Sequence, residues 1–296
     1  MHCHITALLL FYHFTLTHCV ALHSHSLYKR NVKKHIGIIA GNKGRSEGSS
    51  FFCNSDQTAA VENAIRWMNR YAASSFNFLL DDNSKTTAAF IGWFGYGNAD
   101  NADDIRREIF DPIYELGSEA KYHVSSLEKL DDTVVIGCGT YENAPTCRNY
   151  GVLAFARPGE DTIVVCPVAF LNNGYYTTDA AEEAVISAWK TQRRHLPSAG
   201  LAMLHEMTHL GGVVGGFSHW DSGEFASEDH AYRAAECISL PDGKTITNAQ
   251  NYALFALEVR ANVEYASKQV DLDASNKWNY AVRWLRAAVG GYGESP

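Results

Sequence analysis

His205-Glu206-Met207-Thr208-His209 is the stretch on which the reading of this chain turns. On a helix, positions i and i+4 share a face, so two imidazole nitrogens can aim at one metal ion with Glu206 beside them. This is a zinc-hydrolase arrangement, although a bare match also occurs by chance on solvated helices. The flanks sharpen it. Ser198 is a good N-cap behind Leu196-Pro197, and Gly211-Gly212 supply a helix stop after His209, so the motif fills one short helix. At about 100° per residue, Ala202, His205, Glu206 and His209 fall on one side and Leu204, Met207 and Gly211 on the other. One side is set to pack while the other faces a cleft.

With 296 residues, 46% of them hydrophobic and 12% aromatic, the chain can bury the core of one large or two small domains. A formal charge of -8 argues against general nucleic-acid binding and suits attraction to basic partners. Residues 5–22 form an apolar run, with small residues between Ala21 and Ser26, and read as a secretory signal peptide; the alternative is an uncleaved amphipathic anchor. Lys29-Arg30 is a dibasic processing site or an exposed charge pair. No other stretch approaches transmembrane length, so the mature chain is expected to be secreted, without stable membrane association, and monomeric. Loss of the leader leaves Cys53, Cys138, Cys147, Cys166 and Cys237, which in a secreted chain suggest two disulfides and one free or intermolecular thiol.

Along the chain, Asp56 can cap a helix in which Val61, Ala64, Ile65, Trp67, Met68 and Tyr71 recur at helical spacing. A second helix starts near Asp103 and is kinked or ended by Pro112. Beyond Gly117 the pattern turns to short strands at 122–125, 133–136, 151–156 and 162–165, the last two a hairpin through Pro158-Gly159-Glu160-Asp161. Helices follow at 179–190, over the motif itself, from a cap at Thr247 or Asn248, and from Ser275. The class is α+β.

Catalytic zinc takes three protein ligands and leaves a position open, so a further donor is required downstream. His219, Asp221, Glu224 and Asp229 compete on position alone. The metzincin pattern fails because Gly215 stands where its third histidine belongs. A gluzincin-like reading would use Glu224, but Gly223 beside it does not suggest a helix.

Ser227-Glu228-Asp229-His230-Ala231-Tyr232 resembles the TxDxxY heart of the GTxDxxYG motif in deuterolysin-type aspzincin metalloendopeptidases. Asn248-Ala249-Gln250-Asn251-Tyr252-Ala253-Leu254-Phe255 is similar to that family's characteristic helix, and the order of Cys53, Cys138, Cys147 and Cys166 resembles its cysteine framework. The likeness runs over about residues 53–265, most strongly from His205 to Phe255. It implies a zincin-like α+β fold with a small mixed or antiparallel sheet and a mainly helical remainder. It further implies one zinc ion on His205, His209 and Asp229, Glu206 as general base, and Tyr232 as oxyanion stabiliser or proton donor. The implied disulfides are Cys53 with Cys138 and Cys147 with Cys166.

On this reading residues 1–22 are the signal peptide, 23–50 a leader, short propeptide or disordered approach, 51–268 the catalytic domain and 269–296 a helical extension. Substrates are polypeptides laid along a sheet edge, with 162–169 the candidate strand, and the acidic Asp221, Glu224 and Glu228 suggest basic ones. The departures are a longer loop from His209 to Asp229, Ala226 and Arg233 in place of the motif's glycines, no third disulfide, an extra Cys237 and the helix after Asp273. The rival class is a non-catalytic secreted zinc-binding antigen or effector, against which the intact Glu206 argues, since metal binding alone does not need that carboxylate.

Overall fold

A computed structural model describes residues 33–40, 51–118, 122–124, 132–149, 151–215 and 227–270. In order these form β1 (His35–Ile39), α1 (Ser55–Phe78), α2 (Ala88–Phe94), α3 (Ala102–Ile105), a π turn (Arg106–Phe110) and α4 (Asp111–Ser118). Next come β2 (Tyr122–Val124), β3 (Thr133–Cys138), β4 (Ala154–Arg157), β5 (Thr162–Val165), α5 (Leu171–Gly174) and α6 (Asp179–Gln192). The last are α7 (Ala199–Thr208), α8 (Ala234–Ser239), α9 (Asp242–Thr245), α10 (Ala249–Ala261) and α11 (Val263–Ala266). The signal-peptide run, His219, Asp221, Glu224 and the helix after Asp273 lie outside the described residues.

The sheet has the order β2-β1-β3-β5-β4, parallel except for the antiparallel β4–β5 hairpin. Its strands alternate faces with period two. Ile36, Ile38, Val134, Ile136, Ile163 and Val165 pack against the helices, whereas Ile39, Val135 and Val164 meet Phe51, Cys147 and Cys166 on the reverse face. Burial on both faces is why β3 and β5 read as unbroken apolar runs. The reverse cluster is small, and Cys147–Cys166 staples it by closing a separation of 19 residues, while Cys53–Cys138, closing 85, belongs to the main core. Bridges over such loops contribute roughly 3–5 kcal/mol each.

Two features depart from expectation here. The strand His35–Ile39 falls in the stretch assigned to a leader or approach, yet it pairs with both β2 and β3. Five residues behind two lysines, with a glycine in the middle, carry too little pattern to announce a strand. The substrate-edge candidate 162–169 is also corrected: β5 is paired on both sides, and among the described residues the edge strands are β2 and, next to β5, β4.

Helix α1 is capped by Asn54 rather than Asp56. Asn54 Oδ1 accepts from the Gln57 amide at 2.9 Å and Gln57 Oε1 accepts from the Asn54 amide at 3.0 Å, a reciprocal box, while Asp56 sits in the first turn where its charge favours the helix dipole. The second helix does not end at Pro112. A π turn precedes the proline, which has no N–H to give the Glu108 carbonyl four residues back. The Gly215 amide donates to that carbonyl at 2.8 Å and so ties down the chain leaving α7.

Helix α7 lies between α1, α10 and β4. Its crossing with α1 depends on Gly200, where a Cβ would stand 2.6 Å from Trp67 Cβ and 2.6 Å from Glu182 Oε1. Ser198 caps the helix as expected, but Gly211-Gly212 are not its stop. The last helical residue is Thr208, and the His209 amide bonds back to the Glu206 carbonyl and the Leu210 amide to that of Met207. Gly212 is small for another reason: a Cβ there would meet Asp161 Oδ1 at 2.7 Å, the carboxylate that pairs with buried Lys33 at 3.0 Å.

Candidate metal centre and cleft

The helix places His205 and His209 side by side, both buried, with Nε2 atoms 3.3 Å apart. Asp229, from the loop before α8, brings Oδ1 to 3.1 Å from His205 Nε2 and 3.4 Å from His209 Nε2. Among the described residues these three form a group whose ligand atoms lie within 4.8 Å of one another. Two further contacts orient the imidazoles. His209 Nδ1 faces the Ser227 carbonyl at 2.9 Å, and because a carbonyl only accepts, Nδ1 carries the proton and Nε2 of the neutral ring presents a lone pair. His205 Nδ1 stands 2.9 Å from Gln250 Oε1 with the same consequence.

Three acceptors therefore converge, which is unfavourable unless a cation or a proton lies among them. A tetrahedral zinc with bonds of ~2.0–2.1 Å would separate its ligand atoms by about 3.3 Å. The observed edges of 3.1 to 3.4 Å fit that ion.

Electrostatics follow from the same geometry. Burial works to raise the Asp229 pKa, but positive charge at the His205 and His209 edges overcomes it and holds the carboxyl far below its ordinary range, the role that a cation bound among the three donors would fill. Burial pushes the Glu206 carboxyl up, opposed by the two imidazoles and by the Ala156 amide. That amide donates to Glu206 Oε2 at 2.8 Å, while Oε1 lies 3.9 Å from His205 Nε2. One oxygen is thus pinned to β4 and the other turned toward the donor cluster. Tyr232, 57% exposed, stacks on His205 with centroids 6.0 Å apart, and burial of its hydroxyl beside Asp229 raises its pKa.

The Asp229 loop is set by a residue whose role the sequence did not announce. Asn248 begins α10, but its side chain makes no cap. Its Oδ1 accepts from the His230 and Ala231 amides at 2.8 and 3.1 Å, and its Nδ2 donates to the Ala231 carbonyl at 3.1 Å and to Asn251 Oδ1 at 2.6 Å. The free cysteine, Cys237, is buried beneath this loop and its pKa is pushed up to about 12 by burial. Ser227, Gln250 and the Ala156 amide are likewise functional contacts not singled out from sequence. Ser227 and Gln250 stood inside the quoted motifs; a backbone amide leaves no signal.

The cleft beside the cluster has a volume of about 590 Å³ and runs between α7, α10 and the β4 edge. The Cys166 amide bonds to the Leu153 carbonyl at 2.8 Å, which fixes the hairpin register. Phe155 and Arg157 then exchange hydrogen bonds with β5, and the polar groups of Ala154 and Ala156 face away from it.

The sequence profile of the aspzincin family, described as lysine-specific metallo-endopeptidase, matches residues 79–257, more than half of the chain. This chain belongs to the aspzincin family. A probable neutral protease 2 homolog of Arthroderma benhamiae is 26% identical over 234 residues, which are 78% of this chain and 49% of that protein. A peptidyl-Lys metalloendopeptidase of Armillaria mellea is 24% identical over 209 residues, 69% of this chain and 44% of that one. A zinc peptidase from Grifola frondosa is similar in structure at 18% identity and a TM-score of 0.45, over 71% of this chain and 99% of that chain. The aspzincin chain described here spans about half the length of the curated relatives it matches. Membership implies a metal. No helix among the described residues is long and apolar enough to cross a membrane.

Proposed function

We propose that this chain is a zinc-dependent endopeptidase acting on polypeptides, with one ion held by His205, His209 and Asp229. The observation that carries the reading is the set of donor separations, 3.1 to 3.4 Å, with the Glu206 carboxylate anchored beside them. Zinc bound there supplies Lewis acidity, which lowers the pKa of a water and polarises a peptide carbonyl. Glu206 takes the proton from the attacking water and passes it to the leaving amine. The Ala156 amide holds the carboxylate in place during both transfers, and Tyr232 donates a hydrogen bond where negative charge develops on the carbonyl oxygen. The free polar groups of Ala154 and the Ala156 carbonyl offer a substrate strand an edge on which to pair.

The two disulfides and the apolar run near the start support a secreted protein, and we take it to act as a monomer. Basic substrates are not part of this proposal. Asp221 and Glu224 lie outside the described residues, and Glu228 turns to His230 at 3.5 Å with its side chain 68% exposed.

The test compares zinc-loaded wild type with Glu206→Gln on casein. Wild type is expected to cleave, and the variant to lose about 10²–10⁴-fold in kcat while keeping one zinc by elemental analysis. A wild type that holds zinc but cleaves nothing would favour the non-catalytic binder instead.

A further inference from the structure

A buried charge lies outside the mechanism described above. Lys33, two residues before β1, is 5% exposed, the one buried lysine among the described residues. It stands well ahead of residue 79, where the match to the family profile begins. Both ends of this residue are engaged. Its amide donates to the Gly212 carbonyl at 3.0 Å, and its ammonium meets Asp161 Oδ2 at 3.0 Å. The two partners belong to segments on either side of the donor cluster. Gly212 follows His209 by three residues, on the connection leaving α7. Asp161 closes the β4–β5 turn with a left-handed φ of 48°, and its carbonyl accepts from the Val135 amide of β3 at 3.1 Å. The pairs Arg157 with Thr162 and Ala156 with Ile163 carry that turn into the strand whose Ala156 amide donates to Glu206.

A buried ion pair adds little net stability, because desolvation offsets the attraction, so its consequence is sought in the geometry it enforces. That geometry is needed here. Helix α7 is packed between α1 and α10, whereas β4 is paired on one side, by β5. The sheet alone therefore leaves the separation of β4 from α7 open to hinging about the hairpin. We propose that Lys33 is a positioning residue for Glu206: by tying the hairpin turn to the chain that leaves α7, it holds β4 where the Ala156 amide can donate to the carboxylate. Without this clamp the edge strand swings away and Glu206 loses the bond that orients it. The kinetic consequence rests on the peptidase reading; the clamp itself is read at Ala156.

The test uses the full zinc-loaded chain and the double variant Lys33→Met with Asp161→Asn. Removing both charges leaves neither buried alone, and asparagine tolerates the left-handed backbone at 161. The Ala156 amide faces away from β5, so its hydrogen exchange, followed by NMR, reports the bond to Glu206. The double variant is expected to keep its zinc by elemental analysis and to exchange the Ala156 proton about tenfold faster, with the amides of α10 unchanged. Its kcat on casein should fall by about tenfold or more, the cost of a misplaced group. Gly212→Ala provides a second perturbation. A Cβ there would stand 2.7 Å from Asp161 Oδ1 and 2.9 Å from Lys33 Cε, prising the pair apart with both charges present, and should move both readouts the same way.

Wild-type exchange at Ala156 in the double variant would overturn the proposal, as would a lowered kcat with that exchange unchanged. Equal acceleration at Ala156 and throughout α10 would overturn it too, since it marks global loosening. If the double variant does not fold, Gly212→Ala decides by the same criteria. If wild type cleaves nothing, the peptidase reading fails and exchange alone settles the clamp: faster at Ala156 supports it, unchanged sinks it.

Discussion

The two halves of the donor cluster are held by different physics. His205 and His209 ride on α7, whose buried Leu201, Leu204 and Met207 pack it into the core, so their relative position is a property of helical periodicity. Asp229 sits in a loop, its side chain 33% exposed, and its place is set by the His230 and Ala231 amides donating to Asn248 Oδ1 and by the Glu228 carbonyl accepting from the Ala249 amide at 2.9 Å. Periodicity specifies one half locally. The other exists only when α10 is already in place.

If both halves supply donors, His209→Ala and Asp229→Ala should fail alike, each losing more zinc affinity than the ~10–100-fold that removal of an orienting partner costs. Zinc retention after dialysis measures this directly. An Asp229→Ala protein that keeps its zinc, with Asp221→Ala or Glu224→Ala losing it, would break the comparison and move the third ligand into the long loop.

A sharper test separates the halves without touching a ligand. Asn248→Ala leaves the His230 and Ala231 amides without their acceptor, at about 1–3 kcal/mol for each buried unmet group. It should also lower zinc affinity by ~10–100-fold while the helical circular-dichroism signal of α7 and α10 persists. Equal melting of the whole chain would show that the loop is not a separate layer of specification.

The smallest expected effect concerns the anchoring of α7. Glu182 is 1% exposed and accepts from the Gly200 amide at 2.7 Å and from the Tyr71 hydroxyl at 3.0 Å, yet burial outweighs these bonds and its pKa is pushed up to about 7. A folded-state pKa above the unfolded 4.5 means that the folded chain holds this proton more tightly. The stability it contributes is therefore full below pH 4.5 and is lost as pH rises to 7, on the order of 3 kcal/mol in all. Glu182→Gln cannot titrate, so the melting temperature of wild type minus that of the variant should fall between pH 5 and pH 8. A constant difference would show that Glu182 keeps its charge state across that range.

What could be read from sequence divides along the same line. The helical stripe Val61 to Tyr71, the hairpin through Pro158-Gly159 and the pairing of His205 with His209 are local patterns, and each has its counterpart in the structure. On position alone Asp229 is one of four candidates, because a ligand reached through tertiary contacts leaves no spacing rule. The strand His35–Ile39 was lost for a related reason: its evidence is its neighbours β2 and β3, not its own five residues. Asn248 looked like a helix cap, and only the folded loop shows its side chain turned the other way.

The proline in the second helical segment bears on the unusual length between His209 and Asp229. Pro112 has no N–H to give the Glu108 carbonyl, which accepts from the Gly215 amide and so fixes one stem of that connection; Ser227, 1% exposed and bonded to Thr208 and His209, fixes the other. With both stems anchored in the core, the closure entropy of a flexible connection between such points grows by only about 0.6 kcal/mol per doubling of its length. The connection is thus free to vary in length while the spacing of the donors stays constant, a separation of variation from chemistry that begins with a missing N–H.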